Sequence, residues 1–400
     1  VRHAIALTVV AVLAFTATGA ATAYTRFQSN VDVLDVSDLV GAAPEPTGTA
    51  TPDPDDPKAG QAVNLLLLGS DERDGENGEI GGVVEGMRSD TTIVVHISAD
   101  RSRAELISIP RDSLVDIPSC TMSDGSTTRA QSNAMFNSAF ATGWDNGGDL
   151  VSAAACTIKT VQQNTGLTIT DFAVVDFAGF TRMVDALGGV SMCIEENYNS
   201  PDAGLVLNAG YQKLDGRTAL AFARARKGLN MNGSDLQRAG RQQELIAAMV
   251  RQLLAQNVLT DVPALMAFLD AATSSLTVSP GLSSLTDMAG LALSLRGLDQ
   301  ANITFMTIPV AAAPSDPNRV VWTSAADSIW ANMVADQPVI GQVTVAPTTS
   351  ATDAPTGTAT TGTATEAPAT QTPATEPPAT QAPEPGVDPF TPADLSATCG

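Results

Sequence analysis

Three apolar runs set the frame for the whole chain: VNLLLLG from Val63 to Gly69, TTIVVHIS from Thr91 to Ser98, and AELISI from Ala104 to Ile109. A short unbroken apolar run ended by glycine reads as a strand buried on both faces. The connection Ala99-Asp100-Arg101-Ser102 is tight, so the second and third runs form a hairpin. Centred on Arg101, that hairpin sets Thr91 opposite Arg111 and gathers Arg88, Ser89, Asp90, Arg111 and Asp112 at one sheet edge. If the first strand runs parallel to the third, Asp71 and Arg73 reach the same edge, where open α/β sheets hold ligands.

Outward from this frame, helical periodicity occupies about 131–142, 148–164, 176–187, 215–223, 262–272 and 282–296. Strand patterns occupy 168–175, 190–194, 205–207 and 303–308. Helices and strands alternate and no period of 20–50 residues recurs, which predicts one α/β domain over 62–340.

The stretch LDGRTALAFARARKGLNMNGSDLQRAGRQQELIAAMVRQLL, Leu214 to Leu254, carries Arg217, Arg224, Arg226, Lys227, Arg238, Arg241 and Arg251, a third of the 21 basic residues in a chain of net charge -22. From Ser234 a helix is expected, with Ser234 as N-cap and Gln237 three residues on. Asp235, Arg238 and Gln242 fall on the face of Ile246, Met249 and Leu253, with Arg241 at its margin. Buried charge must be paired or bound to something, because desolvation costs several kcal/mol per ion. An internal Asp–Arg pair is one reading; an anion site is the other. The second is favoured by Arg224 and Arg226, which point the same way if that segment is extended and whose guanidinium forks suit phosphate.

The two ends have a different composition. Residues 4–24 contain no charge and are just long enough to span a bilayer, with Arg2 and His3 before them and Arg26 after. A signal anchor over 1–26 is favoured over a signal peptide cleaved near Ala21-Thr22-Ala23. Either reading exports the rest of the chain. Residues 27–61 are expected to be a disordered linker and 341–400 a disordered Ala, Thr and Pro-rich tail.

Arginine outnumbers lysine by 17 to 4, which in an acidic chain argues for specific oxyanion contacts and against a nucleic-acid surface. The four cysteines, Cys120, Cys156, Cys193 and Cys399, lie too far apart for a CxxC site. In an exported chain they predict disulfides, with Cys120–Cys156 and Cys193–Cys399 favoured among three connectivities. His96 alternates within a strand and His3 lies before the anchor, which leaves no histidine base. Gly-x-Ser-x-Gly, GxxxxGK[ST] and GxGxxG after a strand are absent, which disfavours acyl chemistry and nucleotide use. Two carboxylates, Asp71 and Asp90, with three arginines at one sheet edge suit Mg²⁺, or Mn²⁺ in its place, together with a dianionic phosphate.

The blocks GSDER, RSDT, ISIPRDS, NSAF, DFAGFTRMVDALGGV, LDGRTALAFARAR and GSDLQRAGRQQ stand in an order that resembles the LytR-CpsA-Psr family of Gram-positive cell-wall enzymes. The likeness covers about residues 62–256 and, more loosely, to about 310. It implies a mixed β-sheet packed by helices and an apolar groove for a polyprenyl chain. It also implies a Mg²⁺-assisted phosphotransferase moving a glycopolymer from a polyprenyl pyrophosphate to peptidoglycan at the outer face of the cell membrane. By motif, Asp71 and Asp90 are expected to hold the metal, with Arg111 and Asp235 also at the chemistry. Arg73, Arg88, Arg111, Arg224, Arg226 and Arg238 are expected to grip the pyrophosphate. Asp235 would orient groups or act as base, and Arg241 and Gln242 would line the site.

Overall fold

The computed structural model describes residues 25–41, 56, 58–71, 75–81, 87–255, 262–340 and 383–397. The three apolar runs become the middle of a mixed seven-stranded sheet. Its strands are β1 (Asp32–Val33), β2 (Val63–Ser70), β3 (Ser89–Ile97), β4 (Ala104–Ser108), β5 (Asp171–Val175), β6 (Leu276–Val278) and β7 (Ile303–Thr307), in the spatial order β1-β6-β5-β2-β3-β4-β7. β2 is antiparallel to β3 and β3 to β4, so β2 and β4 run the same way and end at the same edge. β5 is parallel to β2 and β7 to β4.

Both faces of the sheet are covered, which is why β2 has no polar alternation. Leu66 and Leu68 face a core with Val94, Ile107, Phe140, Ile158 and Trp330. Leu65 and Leu67 face the other way, toward Ile93, Val95, Ile246 and Val250. On the first side, α1 (Leu150–Thr165) starts where the Asp149 carboxylate accepts from Ser152 N at 2.7 Å. The Cys120–Cys156 disulfide, with Cα atoms 5.3 Å apart, ties the preceding loop to this helix as expected. Cys193 is also disulfide-bonded, while Cys399 lies outside the described residues.

Two further helices carry basic residues of the Leu214–Leu254 stretch: α2 (Gly216–Arg224) and α3 (Asp235–Ala255). α3 is apolar on two sides because it is a filling between layers. Ala247 joins the sheet face, while Leu245 and Ala248 join Phe222 of α2 and Val190 and Met192 of an outer hairpin formed by Val190–Ile194 and Gly210–Leu214. At its start, Gln237 N donates to Ser234 Oγ at 3.2 Å, as the capping pattern predicts. The Gln237 side chain turns instead to the preceding loop, accepting from Asn232 N at 3.0 Å and donating to Asn230 O at 3.1 Å.

Several expectations need correction. The β3–β4 ladder sets Ile93 opposite Ser108 and Ile97 opposite Ala104, one residue away from the pairing expected. The turn closes between Ser98 and Arg103, whose N–H···O distance is 3.2 Å, with Arg101 left-handed at φ 59°. Residues 131–135 are not the start of a helix but a strand, Gln131–Met135, paired with Leu114–Ile117; the helix starts only at Ser138. Their periodicity fits either state, and a partner distant in sequence decides.

Neither end of the chain is wholly a spacer. Phe27 and Val36 are buried, and Asp32–Val33 pairs with β6. Asp56 forms a buried ion pair with Arg101 at 3.0 Å. From the C-terminal side, Phe390 is buried, exchanges backbone hydrogen bonds of 2.8 and 3.0 Å with Phe305 of β7, and stacks on its ring at 5.4 Å. A Cβ on Gly240 of α3 would stand 2.3 Å from Pro385 O, so the same segment lies directly on that helix. The expected anchor over residues 4–24 and the sequence 341–382 lie outside the described residues. No helix among the described residues is long and apolar enough to cross a membrane.

His96 is fully buried at the opposite end of β3 from Asp90, between Asn64 Oδ1 at 2.7 Å and Asp336 Oδ1 at 3.1 Å. Beside it, burial pushes the Glu105 carboxyl up to about 7 despite Arg103 at 3.0 Å. Above the ordinary carboxyl value of 4.5 and up to about 7, folded Glu105 keeps a proton that the unfolded chain releases, so stability falls through this window as pH rises. Relative to wild type, Glu105→Gln is expected to gain stability between pH 5 and pH 8 in urea unfolding. Phe390→Ala is expected to cost about 3 kcal/mol in the same measurement, as for a core aromatic.

Candidate functional site

The common edge of β2, β3 and β4 presents three chain reversals to one another. After β2, Asp71 N donates to Arg88 O at 2.9 Å, and the Asp71 carboxylate accepts from Arg88 N at 2.5 Å. After β4, Pro110 ends the strand and turns Arg111 into the edge. Its guanidinium donates to Asp90 Oδ1 at 3.0 Å and stands 3.5 Å from Asp235 Oδ1, while Arg111 N donates to Asp235 Oδ2 at 3.0 Å. From the first turn of α3, Arg238 contacts Asp235 and reaches back to Asp90, donating to its carbonyl at 2.9 Å and standing 3.7 Å from its carboxylate. Asp90, Arg111, Asp235 and Arg238 thus close a ring of alternating charge between sheet and helix.

Burial and pairing pull the ring's titrations in different directions. Burial acts to raise the Asp90 pKa, but Arg238 and Arg111 outweigh it and hold the carboxyl below its ordinary value. For Asp235 burial wins over the same two arginines, and its pKa is raised. Both Asp235 oxygens are nonetheless engaged with Arg111 and Arg238. Its geometry is that of a positioning residue for the arginines.

The ring borders a cavity of about 630 Å³ whose lining includes Arg88, Arg111, Arg226, Asp235, Asn137 and Arg319. Arg226 stands out electrostatically. Its guanidinium donates to Gly233 O at 3.2 Å, and among the described residues no carboxylate lies within ion-pair distance of it. Burial, then Arg111 and Arg238, depress its pKa, which in an arginine still leaves it charged. Arg88 is exposed on the same cavity. Among the described residues, therefore, no carboxylate pairs with Arg226 on this cavity, a condition that favours taking up an oxyanion.

Asp71, Asp90, Arg88, Arg111, Asp235 and Arg238 come together as the sequence predicts, with Arg226 beside them. Asp71, Asp90 and Arg238 belong to this cluster but do not line the cavity itself, and neither do the expected site residues Arg224, Arg241 and Gln242. Helix α2 runs through Arg224, so the Arg-x-Arg pair diverges: Arg224 lies over the Phe177 ring at 4.2 Å and Arg226 faces the cavity. Arg241 is buried and donates to Phe222 O at 3.3 Å and to Ala225 O; Gln242 donates to Ala223 O at 3.1 Å. These two satisfy carbonyls left open at the end of α2 and so aim Arg226. Arg73 lies outside the described residues. Conversely, Arg319 lines the cavity from a hairpin of Val310–Ala313 and Asp316–Trp322, and Asn137 from the N-terminus of Ser138–Gly147. Neither had a local signal as a ligand group beyond Asn137 falling in the NSAF block.

Residues 20–335 match the LytR_cpsA_psr family. The chain belongs to that family. Among relatives of known name, it is 32% identical over 265 residues to the cell wall biosynthesis protein LcpA of Corynebacterium glutamicum, covering 62% of this chain and 50% of that protein. It is 33% identical over 195 residues to the polyisoprenyl-teichoic acid--peptidoglycan teichoic acid transferase TagU of Oceanobacillus iheyensis, covering 49% of this chain and 52% of that one. The chain thus spans about half the length of these two relatives. A solved LytR-Csp2A-Psr enzyme from Actinomyces oris superposes with a TM-score of 0.50 at 21% identity, over 73% of this chain and 96% of that one, and shares the fold.

Within this LytR_cpsA_psr site, Arg226 and Arg241 are expected to separate cleanly. Arg226→Ala should weaken binding of inorganic pyrophosphate by about tenfold or more, as loss of a charge-assisted contact does, without lowering the melting temperature. Arg241→Ala should lower the melting temperature by several degrees, about what leaving buried carbonyls without a donor costs. Titration calorimetry and thermal melts on the two variants check this.

Proposed function

We propose that the chain is a phosphotransferase that moves a cell-wall glycopolymer from a polyprenyl pyrophosphate carrier onto peptidoglycan, leaving a phosphodiester. The observation that carries the reading is Arg226, charged and without a carboxylate partner among the described residues, on a cavity it shares with Arg88 and Arg111. A diphosphate supplies the charge this arrangement lacks. Family membership and the printed name of TagU, which couples a polyisoprenyl-linked polymer to peptidoglycan, support the donor and the acceptor. The uncharged run at residues 4–24 would anchor the domain beside the membrane in which the carrier lipid sits.

In the transfer, a sugar hydroxyl of peptidoglycan attacks the phosphorus next to the donor glycan. The new oxygen–phosphorus bond forms as the bond to the lipid phosphate breaks, the hydroxyl proton passes to the leaving lipid phosphate, and Arg226 and Arg88 offset the charge gathered there. Asp235 fixes where the Arg111 and Arg238 guanidinium groups stand beside them. Asp90, kept ionised by the same arginines, is a ready acceptor of hydrogen bonds from incoming donors.

Asp71 and Asp90 would be the residues to hold Mg²⁺, or Mn²⁺, as a companion of the diphosphate. Asp71 and Asp90 offer hard oxygen donors at one edge. Mg²⁺ takes one or two carboxylates and fills its shell with phosphate oxygens and water; among the described residues no group of three or more His, Cys, Asp or Glu stands together. When bound, the ion would neutralise part of the diphosphate charge.

The test is a transfer assay with lipid-linked polymer and peptidoglycan fragments. Asp71→Ala should lose transfer by about a hundredfold or more, comparable to removal of one oxyanion-stabilising group, with an unchanged melting temperature. Normal transfer by that variant in excess Mg²⁺ removes Asp71 from the reading. Free polymer phosphate without linkage to glycan, made by wild type, turns the reading to hydrolysis.

A further inference from the structure

The ring of Asp90, Arg111, Asp235 and Arg238 holds together only while the first turn of α3 keeps its place against the sheet edge, because Asp235 and Arg238 both leave that turn. Gln243 ties the helix to the sheet, its Nε2 donating to Ser108 Oγ of β4 at 2.8 Å and to Thr307 Oγ1 of β7 at 3.1 Å. Another tie between α3 and β7 runs through residues 383–397, a segment to which the diphosphate reading gives no role. It is built to hold a shape of its own. Glu384 O accepts from Val387 N at 3.0 Å and Asp388 N at 2.7 Å, while the Asp388 carboxylate accepts from Glu384 N at 3.1 Å. Further on, the Asp394 carboxylate accepts from Thr391 N at 2.7 Å and Thr391 Oγ1 at 2.9 Å. Phe390, between these two stitched turns, is the anchor on β7. A segment shaped by its own carboxylates has less entropy to lose on docking.

At the helix end of this segment two glycines meet. Gly240 lies in the second turn of α3, where glycine is, after proline, the poorest helix former. A Cβ there would collide with Pro385 O and stand 2.7 Å from the carbon of the same carbonyl. Gly386 is left-handed at φ 87°, and a Cβ on it would stand 2.5 Å from Leu236 O and 2.9 Å from Gly240 N. The obstacles on both sides are main chain, so no side-chain rotation relieves either contact. Main chain thus lies on main chain directly over the turns that carry Asp235, Leu236 and Arg238. Because Arg111 follows β4 and β7 is hydrogen-bonded to β4, a link from β7 to α3 fixes the separation across which Arg111 meets Asp235.

We propose that residues 383–397 are a positioning strap for the site: anchored on β7 by Phe390, they press Gly386 onto the first two turns of α3 and so hold Asp235 and Arg238 in register with Arg111 and Asp90. Gly240 and Gly386 are positioning residues, since neither lines the cavity. The strap's effect on ligand affinity rests on the proposed diphosphate site; its effect on the ring does not.

Two measurements on the full chain test it: calorimetric binding of inorganic pyrophosphate, and the Arg238 Nε–H resonance by NMR. In Gly240→Ala the helix gains a better former while the strap is pushed off, and in Gly386→Ala the same contact is broken from the strap's side. Each is expected to shift the Arg238 resonance and to weaken pyrophosphate binding about tenfold, measured well below the melting temperature of the variant. Val387→Ala, in the same turn but with its residue 61% exposed, is expected to change neither. Phe390→Leu keeps an apolar anchor without the stacked ring and should give a smaller change in the same direction, which decides the matter where a glycine variant does not fold. A strap that is only structural lowers the melting temperature and leaves resonance and affinity as in wild type; that result overturns the proposal. Weakened binding with an unshifted resonance overturns it too, because the loss then does not pass through the ring. A shifted resonance with wild-type affinity in both glycine variants overturns the strap's role at the site. A shifted resonance in a chain whose wild type binds no pyrophosphate upholds the strap and removes the diphosphate reading.

Discussion

The arrangement turns on Asp235, a carboxylate at the first turn of a buried helix that grips two arginines at once. It takes the Arg111 backbone N–H and guanidinium from the sheet edge and the Arg238 guanidinium from its own helix. Through Arg238 the grip extends to Asp90 on β3. Burying four charges is unfavourable unless each is matched, and matched in this way they fix the distance between sheet and helix more sharply than apolar packing does. The guanidinium groups that face the cavity therefore arrive already placed, with little rearrangement left for the moment a ligand binds.

A second consequence follows for charge. Around the ring every arginine has a carboxylate, so the ring itself is close to neutral. The surplus sits on Arg226, delivered by the short loop after α2 and aimed by Arg241 and Gln242, which close the carbonyls at that helix end. Site chemistry and helix capping are one design here: the residues that finish α2 also decide where Arg226 points, a cation with no carboxylate partner among the described residues.

The sequence revealed the frame and part of the site. β2, β3 and β4 were legible because a buried strand has few alternatives for a short apolar run between turn residues, and the charged residues just past their ends were then forced together by strand direction. The one-residue error in the hairpin came from its turn, where Arg101 adopts a left-handed conformation that residue type alone does not announce. Arg241 and Gln242 were read onto the site because a helical wheel reports which side a residue occupies and not what faces it; here carbonyls of α2 do. Arg224 was misplaced by the question of where that helix stops. Asn137 and Arg319 were beyond local reading, since their neighbours on the cavity come from distant parts of the chain. The C-terminal region misled by its average: Phe390 and Leu395 are diluted among Pro, Thr and Ala, yet two well-placed apolar side chains suffice to dock a segment.

Both raw margins of the sheet are sealed by sequence from near the chain's ends, Asp32–Val33 against β6 and Phe390 against β7. An unsealed margin is a template for pairing with another chain. On the β7 side the sealing segment is also held from α3, where Pro385 lies against Gly240. Displacing Phe390 would leave β7 with open backbone donors and acceptors, the condition under which a strand edge recruits another chain. A region whose composition looks least like a folded domain thus supplies the residue that closes one side of the sheet.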